Sequence, residues 1–217
     1  MPEYYIGVDL GQAADYTALS VADAEGDVIK IRHLERLPLG IPYPDQVTRI
    51  KQLYCPCSMA DPNTRLIVDH TGVGRAVIDL IRREDLYPVA LTITGGNQAT
   101  RDGYEWSVPK RDLVSALIVA FQTGRLKISR SLSEAETLTR ELMNFNLKVN
   151  LQTGHDSYEA WREGIHDDLV LSVAMAVYAA TIDPRYDSID IEDCMGDPVN
   201  IPTLSGSPVK FEWYNEI

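Results

Sequence analysis

The sequence predicts an α/β protein in which helices flank a mixed β-sheet. Three apolar segments near the N-terminus (residues 4–10, 17–22 and 28–37) are joined by short polar turns, which is typical of an antiparallel three-strand meander. From residue 45 onward, apolar strands alternate with amphipathic helices, a pattern that indicates parallel strands. Because such helices cover the faces of the sheet, we expect one mixed sheet packed between helical layers.

The remaining elements are predicted from apolar periodicity and from helix-breaking residues. Proline suits the first turn of a helix at 109–123, and Gly124 ends that helix. Residues 94–107 are rich in Gly and Asn and are predicted to form a loop. The other predictions, in chain order, are a helix at 45–54, a strand at 65–69, a helix after Gly74, strands at 88–93 and 126–128, a helix at 133–144, a strand at 145–151 and a helix at 165–182.

The length of 217 residues suits one substantial domain, which we place at residues 1–182. Residues 183–217 are acidic and contain several prolines and glycines, so we interpret them as a tail. No apolar run approaches the roughly 20 residues that span a bilayer, and the N-terminus lacks a secretion signal. The three cysteines are too sparse for a disulfide framework or a zinc site. We therefore expect an intracellular protein that is neither secreted nor bound to a membrane.

The formal net charge of −12 argues at first against a nucleic-acid partner. Half of this charge belongs to the tail, where eight acids stand against two basic residues. Some of the remaining acids would be neutralised if they bound a divalent cation. The charge therefore argues against tight, sequence-independent DNA binding by this chain alone, but leaves a DNA-cleaving activity open.

Four carboxylates lie at the ends of predicted buried elements. Asp9 ends the first strand, Asp69 ends the fourth, and Asp167 and Asp168 open the last helix. If the first and fourth strands are neighbours, Asp9 and Asp69 lie side by side, and the last helix can add Asp168 or Asp167. Each residue also has a structural interpretation: Asp9 in a turn, Asp69 as a cap of the next helix, and the pair at 167–168 favoured by the helix dipole.

A cluster of acids is costly without a cation, because like charges raise one another's pKa. Oxygen ligands suit Mg²⁺ or Mn²⁺, and two ions at one site can assist phosphodiester hydrolysis. We therefore predict a divalent-metal site formed by Asp9, Asp69 and Asp168, with Asp167 as a second or alternative ligand. Adjacent residues at a helix start point in different directions, so the sequence leaves open which of the two binds directly.

Several basic residues near these acids are candidates for phosphate or DNA contacts, although solvated surface charge is the alternative for each. His166 precedes the paired acids and could instead be structural. The others lie at predicted helix starts or in the Gly-rich loop: Arg75, Lys110, Arg111 and Arg101.

Four motifs, in order along residues 4–182, resemble the nuclease domain of the terminase large subunit of tailed bacteriophages. The last of them, at the start of the final helix, is the most specific. The motifs are Ile-Gly-Val-Asp9-Leu-Gly followed by Asp15 and Thr17, Ile-Val-Asp69-His-Thr-Gly-Val-Gly, Val-Pro-Lys-Arg-Asp-Leu-Val at 108–114, and His166-Asp-Asp-Leu-Val-Leu-Ser-Val-Ala-Met-Ala.

The resemblance implies an RNase H-like fold and a metal-dependent endonuclease that cuts double-stranded viral DNA concatemers during genome packaging, in the cytoplasm of the infected host cell. It places Asp9, Asp69 and Asp168 at the family's metal-binding positions, with Asp167 beside them. Implied partners are double-stranded DNA, a terminase ATPase domain or subunit, the portal or procapsid, and the small terminase subunit. The chain has no G-x-x-x-x-G-K-[ST] motif, so we expect the packaging motor elsewhere.

Three other functions fit parts of the pattern. Val-Asp-Leu-Gly with a following Thr also occurs in actin-like sugar kinases, but this chain is short for that fold and has no second phosphate loop. A cellular RNase H-like resolvase acting on branched DNA would share the fold. A non-catalytic assembly module of the same fold would not need the acids. ATP binding, junction cutting and metal binding, respectively, distinguish them.

Overall fold

The structure, a computed structural model, describes residues 3–11, 15–72, 75–151, 167–182 and 213–214, and these ranges contain nine strands and five helices. The strands are β1 (Glu3–Asp9), β2 (Ala18–Glu25), β3 (Val28–Arg36), β4 (Arg65–Asp69), β5 (Val89–Thr94), β6 (Thr100–Asp102), β7 (Glu105–Pro109), β8 (Leu126–Ser129) and β9 (Trp213–Tyr214). The helices are α1 (Tyr43–Ala60), α2 (Arg75–Arg83), α3 (Lys110–Gln122), α4 (Ala135–Leu151) and α5 (Asp168–Thr181).

The described strands form a single sheet in the order β6-β7-β5-β4-β1-β2-β3-β8-β9. Strands β1, β2 and β3 are antiparallel neighbours, as a meander requires. The strands β4, β5 and β7 are then added to the β1 side in parallel, and β8 pairs in parallel with β3. The predicted mixed sheet, an antiparallel meander followed by parallel strands, is confirmed.

The two faces of the sheet carry separate apolar layers. On one face, α1 and α2 cover residues such as Ile6 and Val8 of β1. On the other face, α5 lies across β1 and β2, with α3 beside it. Residues 168–180 of α5 are all buried, because this segment is almost uninterrupted in small and apolar side chains. The central helix therefore has no solvent-exposed face.

Close contact between α5 and the sheet depends on Gly7 in the middle of β1. A Cβ atom at this position would lie 1.9 Å from the backbone oxygen of Ser172, far closer than atoms can approach. The absent side chain lets the helix backbone lie directly on the strand. The height of α5 above β1 is therefore set by this glycine.

Two predictions of local structure are wrong. Residues 145–151 belong to α4 rather than to a strand. Their alternating pattern also places Leu147 and Leu151 four residues apart, which suits a helix equally well. The predicted loop at 94–107 contains β6 and most of β7, joined by a two-residue turn whose first residue, Gly103, has φ +55°.

The ends of the predicted domain are described only in part. Helix α5 begins at Asp168, whereas the prediction began at 165; residues 165 and 166 lie outside the described ranges. In the predicted tail, only Trp213 and Tyr214 are described, and they pair with β8. The domain boundary at 182 therefore stays a prediction. Within the described ranges, no helix has the length and apolar character needed to cross a membrane.

Candidate active site

Two carboxylates lie directly opposite each other at one edge of the sheet. Asp9 is the last residue of β1 and Asp69 is the last residue of β4, and these parallel neighbours pair Asp9 with Asp69. The expectation that the first and fourth strands are adjacent is confirmed. Because the chain direction is the same in both strands, both acids lie at the carboxyl ends of strands, where α/β proteins commonly place ligand sites.

The same row of residues continues across the meander. Asp9 pairs with Ala18 of β2, and Ala18 pairs with Arg36 at the end of β3. Directly opposite residues on neighbouring strands present their side chains on the same face of a sheet. The row therefore runs Asp69, Asp9, Ala18, Arg36 on the face covered by α5, with the small alanine leaving room for the start of the helix.

The start of α5 adds the other two predicted acids. Asp167 is the N-cap residue and Asp168 is the first helical residue. An oxygen of Asp168 (Oδ2) accepts a hydrogen bond from Arg36 Nη2 at 3.0 Å. Asp167 Oδ2 accepts one from Lys110 Nζ, also at 3.0 Å. The two adjacent acids therefore have different cationic partners, as their different directions at a helix start require.

Burial and mutual repulsion raise the pKa of Asp9 well above its ordinary value. Removal from water has the largest effect, and the charges of Asp69, Asp168 and Asp167 add to it, whereas Lys110 lowers the pKa. The pKa of Asp69 is also raised by burial. Hydrogen bonding by Thr71, whose backbone N–H donates to Asp69 Oδ1 at 2.7 Å, opposes that shift. A bound cation would relieve this repulsion between buried carboxylates and stabilise their charged forms.

Two residues that the sequence analysis missed complete the cluster. Arg36 Nη2 also donates to Glu141 Oε1 of α4 at 2.8 Å, and the guanidinium lies 4.3 Å from the ring centre of Tyr16. Glu141 is buried, and its Oε2 accepts the backbone N–H groups of Leu169 and Val170 at 3.0 and 3.1 Å. Arg36 thus joins β3, α4 and α5 at this edge of the sheet. We call it the acidic edge, after Asp9, Asp69, Asp167 and Asp168.

Comparison of the sequence with models of known protein families identifies the family of this chain. Residues 6–179 match the family model described as the terminase RNaseH-like domain. The chain belongs to this family. No curated protein matches its sequence.

Solved structures of terminase nucleases are similar to this terminase domain. The large terminase nuclease from thermophilic phage G20c with bound magnesium is 26% identical, with a TM-score of 0.56 over 81% of this chain and 80% of that chain. The same nuclease with bound zinc is 26% identical, with a TM-score of 0.50 over 81% of this chain and 80% of that chain. The nuclease domain of Thermus phage P74-26 is 24% identical, with a TM-score of 0.52 over 81% and 78% of the two chains. The sheet and helices of this terminase domain have the RNase H-like fold.

The predicted basic residues of the terminase domain are not all at the acidic edge. Lys110 is there, paired with Asp167. The guanidinium of Arg111 instead donates hydrogen bonds to Asn97, to its side-chain oxygen at 3.1 Å and to its backbone oxygen at 2.6 Å. Arg75 is exposed at the start of α2 and Arg101 is exposed in β6, whereas His166 lies outside the described residues.

The donor chemistry of this edge fits a hard divalent cation. The predicted ligands Asp9, Asp69, Asp167 and Asp168 supply only carboxylate oxygens, which Mg²⁺ and Mn²⁺ prefer. Within the described ranges, however, no three His, Cys, Asp or Glu side chains converge closely enough to hold a metal ion in their present orientations. Asp168 and Asp167 are each paired with a basic side chain. Metal binding by all of these acids therefore requires those carboxylates to turn.

The metal-free domain should become less stable as the pH rises from about 4.5 to about 7. Burial raises the pKa of Glu141 from 4.5 to about 7, so the folded protein holds this proton more tightly than the unfolded chain does. The resulting stabilisation is complete below the unfolded pKa and is lost as the pH rises through the folded value. Asp9 acts in the same direction.

For Glu141 alone the expected loss is on the order of 3 kcal/mol. Urea unfolding in EDTA at several pH values measures it, and Glu141→Gln should flatten the decline. A free energy of unfolding that rises over this interval, or a decline that Glu141→Gln leaves unaltered, would contradict the assignment.

Proposed function

We propose that this domain is the metal-dependent endonuclease of a DNA-packaging terminase, which cuts double-stranded concatemeric viral DNA in the infected host cell. The observation that carries the proposal is the direct pairing of Asp9 with Asp69 at the carboxyl ends of β1 and β4, with the acidic start of α5 on the same face. Carboxylates buried beside one another raise one another's pKa, and a bound divalent cation favours their charged forms. Family membership supplies the reason to expect a nuclease.

In this proposal Asp9, Asp69 and Asp168 hold divalent metal, either Mg²⁺ or Mn²⁺ and as two ions, with Asp167 beside them. When bound, the metal would activate water and stabilise charge on the phosphate. The protein's part is to fix the carboxylates on two rigid strands and one buried helix, so that the reacting groups need little reorganisation. The G20c nuclease, which has bound magnesium or zinc in its solved structures, supports the choice of a divalent cation.

The DNA backbone would approach the acidic edge from solvent. Lys110 lies at that edge, paired with Asp167, and it would be available for a phosphate contact if Asp167 bound metal. Arg111 follows it at the start of α3, while Arg75, Arg101 and His166 are further candidates for contacts with DNA. The ATPase domain or subunit, the small terminase subunit and the portal or procapsid are the proposed protein partners.

The first test is cleavage of supercoiled and linear plasmid by the purified chain. We expect nicking and linearisation with Mg²⁺ or Mn²⁺, and none when EDTA replaces the metal, since carboxylates alone supply no Lewis acid. Cutting that continues unchanged in EDTA would refute the metal-dependent mechanism. Selective cutting of four-way junctions, with plasmid left intact, would favour a resolvase instead.

A folded protein that neither binds Mn²⁺ nor cuts DNA would be an assembly module. Calorimetric titration with Mn²⁺ makes this distinction without any substrate. The proposed nuclease should bind the ion in the parent chain, because four carboxylates at one edge attract it strongly.

A further inference from the structure

The start of α5 is capped in an unusual way. An N-cap aspartate ordinarily accepts the backbone N–H of the second or third helical residue, which here are Leu169 and Val170. Asp167 is the N-cap residue and makes no such hydrogen bond. Its side chain instead accepts a hydrogen bond from Lys110 at 3.0 Å.

Glu141 takes the place that the N-cap side chain leaves. Glu141 belongs to α4 and lies 28 residues before Leu169 in the chain; its Oε2 accepts hydrogen bonds from the N–H groups of Leu169 and Val170, at 3.0 and 3.1 Å. Its other oxygen is held by Arg36, which also binds Asp168. Glu141 is only 6% exposed, so the bonds that it makes are shielded from competing water.

We propose that Glu141 is a positioning residue that caps α5 in place of Asp167, so that both acids at the helix start are left to the acidic edge. A carboxylate can serve as the cap or as a ligand at the edge, but its short side chain cannot point both ways at once. By supplying the cap from α4, the fold removes that competition. The consequence for cleavage rests on the proposed nuclease function, whereas the capping itself does not.

Removing Glu141 should let Asp167 return to the ordinary capping position. In Glu141→Ala, the N–H groups of Leu169 and Val170 lose their acceptor while buried, and such groups are costly to leave unpaired. Asp167 is the nearest carboxylate in sequence with the right geometry. The variant should therefore retain a capped α5 but lose one acid from the edge.

A double-mutant cycle in EDTA tests this exchange without any need for activity. In the parent, Asp167→Ala should shift the melting temperature by less than about 1 °C, because a partly exposed ion pair contributes little. In the Glu141→Ala background, the same substitution should lower it by roughly 3 °C more, as the loss of an N-cap would. Equal shifts in the two backgrounds would overturn the proposal.

Kinetics of DNA cleavage provide the second test. Glu141→Ala should lower kcat by about 10- to 100-fold, as other changes behind ligand carboxylates do, with KM for DNA altered less than about twofold. Glu141→Gln should retain kcat within roughly fivefold, because its amide oxygen still accepts both N–H groups. If KM rises instead while kcat is kept, Glu141 acts on DNA binding and the proposal fails.

The matched control is Asp61→Ala. Asp61 is another buried acid that accepts backbone N–H groups, from Asn63 at 2.9 Å and Tyr4 at 3.4 Å, but it lies at the opposite end of β1. The Asp61→Ala substitution should lower stability and leave kcat unaltered.

Should Glu141→Ala fail to fold, Glu141→Gln still tests the proposal. Two results would overturn it: a shift in melting temperature on Asp167→Ala that is larger in the Glu141→Gln background than in the parent, or a kcat loss above tenfold in the folded Glu141→Gln variant. If the parent itself proves inactive, the cycle in EDTA still tests the capping.

Discussion

Asp9→Asn should abolish DNA cleavage and at the same time make the metal-free domain more stable at neutral pH. The substitution removes the carboxylate at the centre of the row, between Asp69 and the start of α5. A metal ion contributes several kcal/mol of charge stabilisation to such a reaction, so we expect kcat to fall by at least about 100-fold. The gain in stability follows because the repulsion that raises the pKa of Asp9 is lost.

Plasmid cleavage and urea unfolding in EDTA measure the two effects on the same preparation. The control is Asp23→Asn, which alters a buried carboxylate on the neighbouring strand β2 that pairs with Arg32 far from the acidic edge. It should reduce stability and leave cleavage intact. A folded Asp9→Asn variant that still cuts at near the parental rate would remove Asp9 from the site.

Gly7→Ala should be the most damaging single-methyl addition in the chain's central strand. The new Cβ would lie 1.9 Å from the Ser172 oxygen, and that atom belongs to the backbone of a buried helix that cannot rotate away. The helix must rise from the sheet, which opens the core beneath it. Because overpacking of a rigid core costs about 1–3 kcal/mol and a forced backbone shift adds to it, we expect a loss of about 3 kcal/mol or more.

Gly95→Ala is the matched control, since a Cβ there meets no atom within 4 Å. Thermal and urea unfolding of both variants should show a change within about 0.5 kcal/mol for Gly95→Ala and the large loss for Gly7→Ala. Cleavage should fall with stability in the second case, because α5 carries Asp168. A Gly7→Ala variant as stable as the parent would show that α5 lies further from β1 than the structure places it.

The sequence was sufficient to predict the pair at the sheet edge. Asp9 and Asp69 each end a short apolar strand, and the meander followed by alternating elements makes those strands neighbours. The end of each strand can be recognised from the local sequence. Because the two strands are parallel neighbours, their carboxyl ends lie side by side, which brings the two acids together. The position of Asp167 and Asp168 at a helix start was equally local. Their roles as metal ligands remain predictions.

The partners of these acids could not be predicted in the same way. Arg36 and Glu141 are separated by 105 residues, and each resembles an ordinary charged residue on a strand or helix. Only the packing of α4 beside α5 brings them together. A buried glutamate in an amphipathic helix is a weak signal in a single sequence, because the same helix also carries exposed acids such as Glu136.

The two errors in local structure have a common cause. Residues 145–151 alternate in polarity, but the same residues also satisfy a four-residue spacing, and the preceding helix continues through them. In 94–107, glycine indicated a loop where it in fact makes a hairpin turn, and Trp106 behind it is buried, with its indole N–H donating to the Gly103 oxygen at 3.1 Å. Short-range patterns left both readings open, and tertiary packing decided between them.

Because α5 packs across β1 and β2, the acidic edge can be completed only after α5 has been synthesised. Asp9 and Asp69 emerge from the ribosome before Asp168, which follows about a hundred residues after Asp69. Until then, the face of the sheet that carries Tyr5 and Ala18 lacks its covering helix. Contacts between such distant segments form late in folding. A nascent chain therefore lacks the acids of α5 until that helix has docked, and the acidic edge is assembled only in the finished fold.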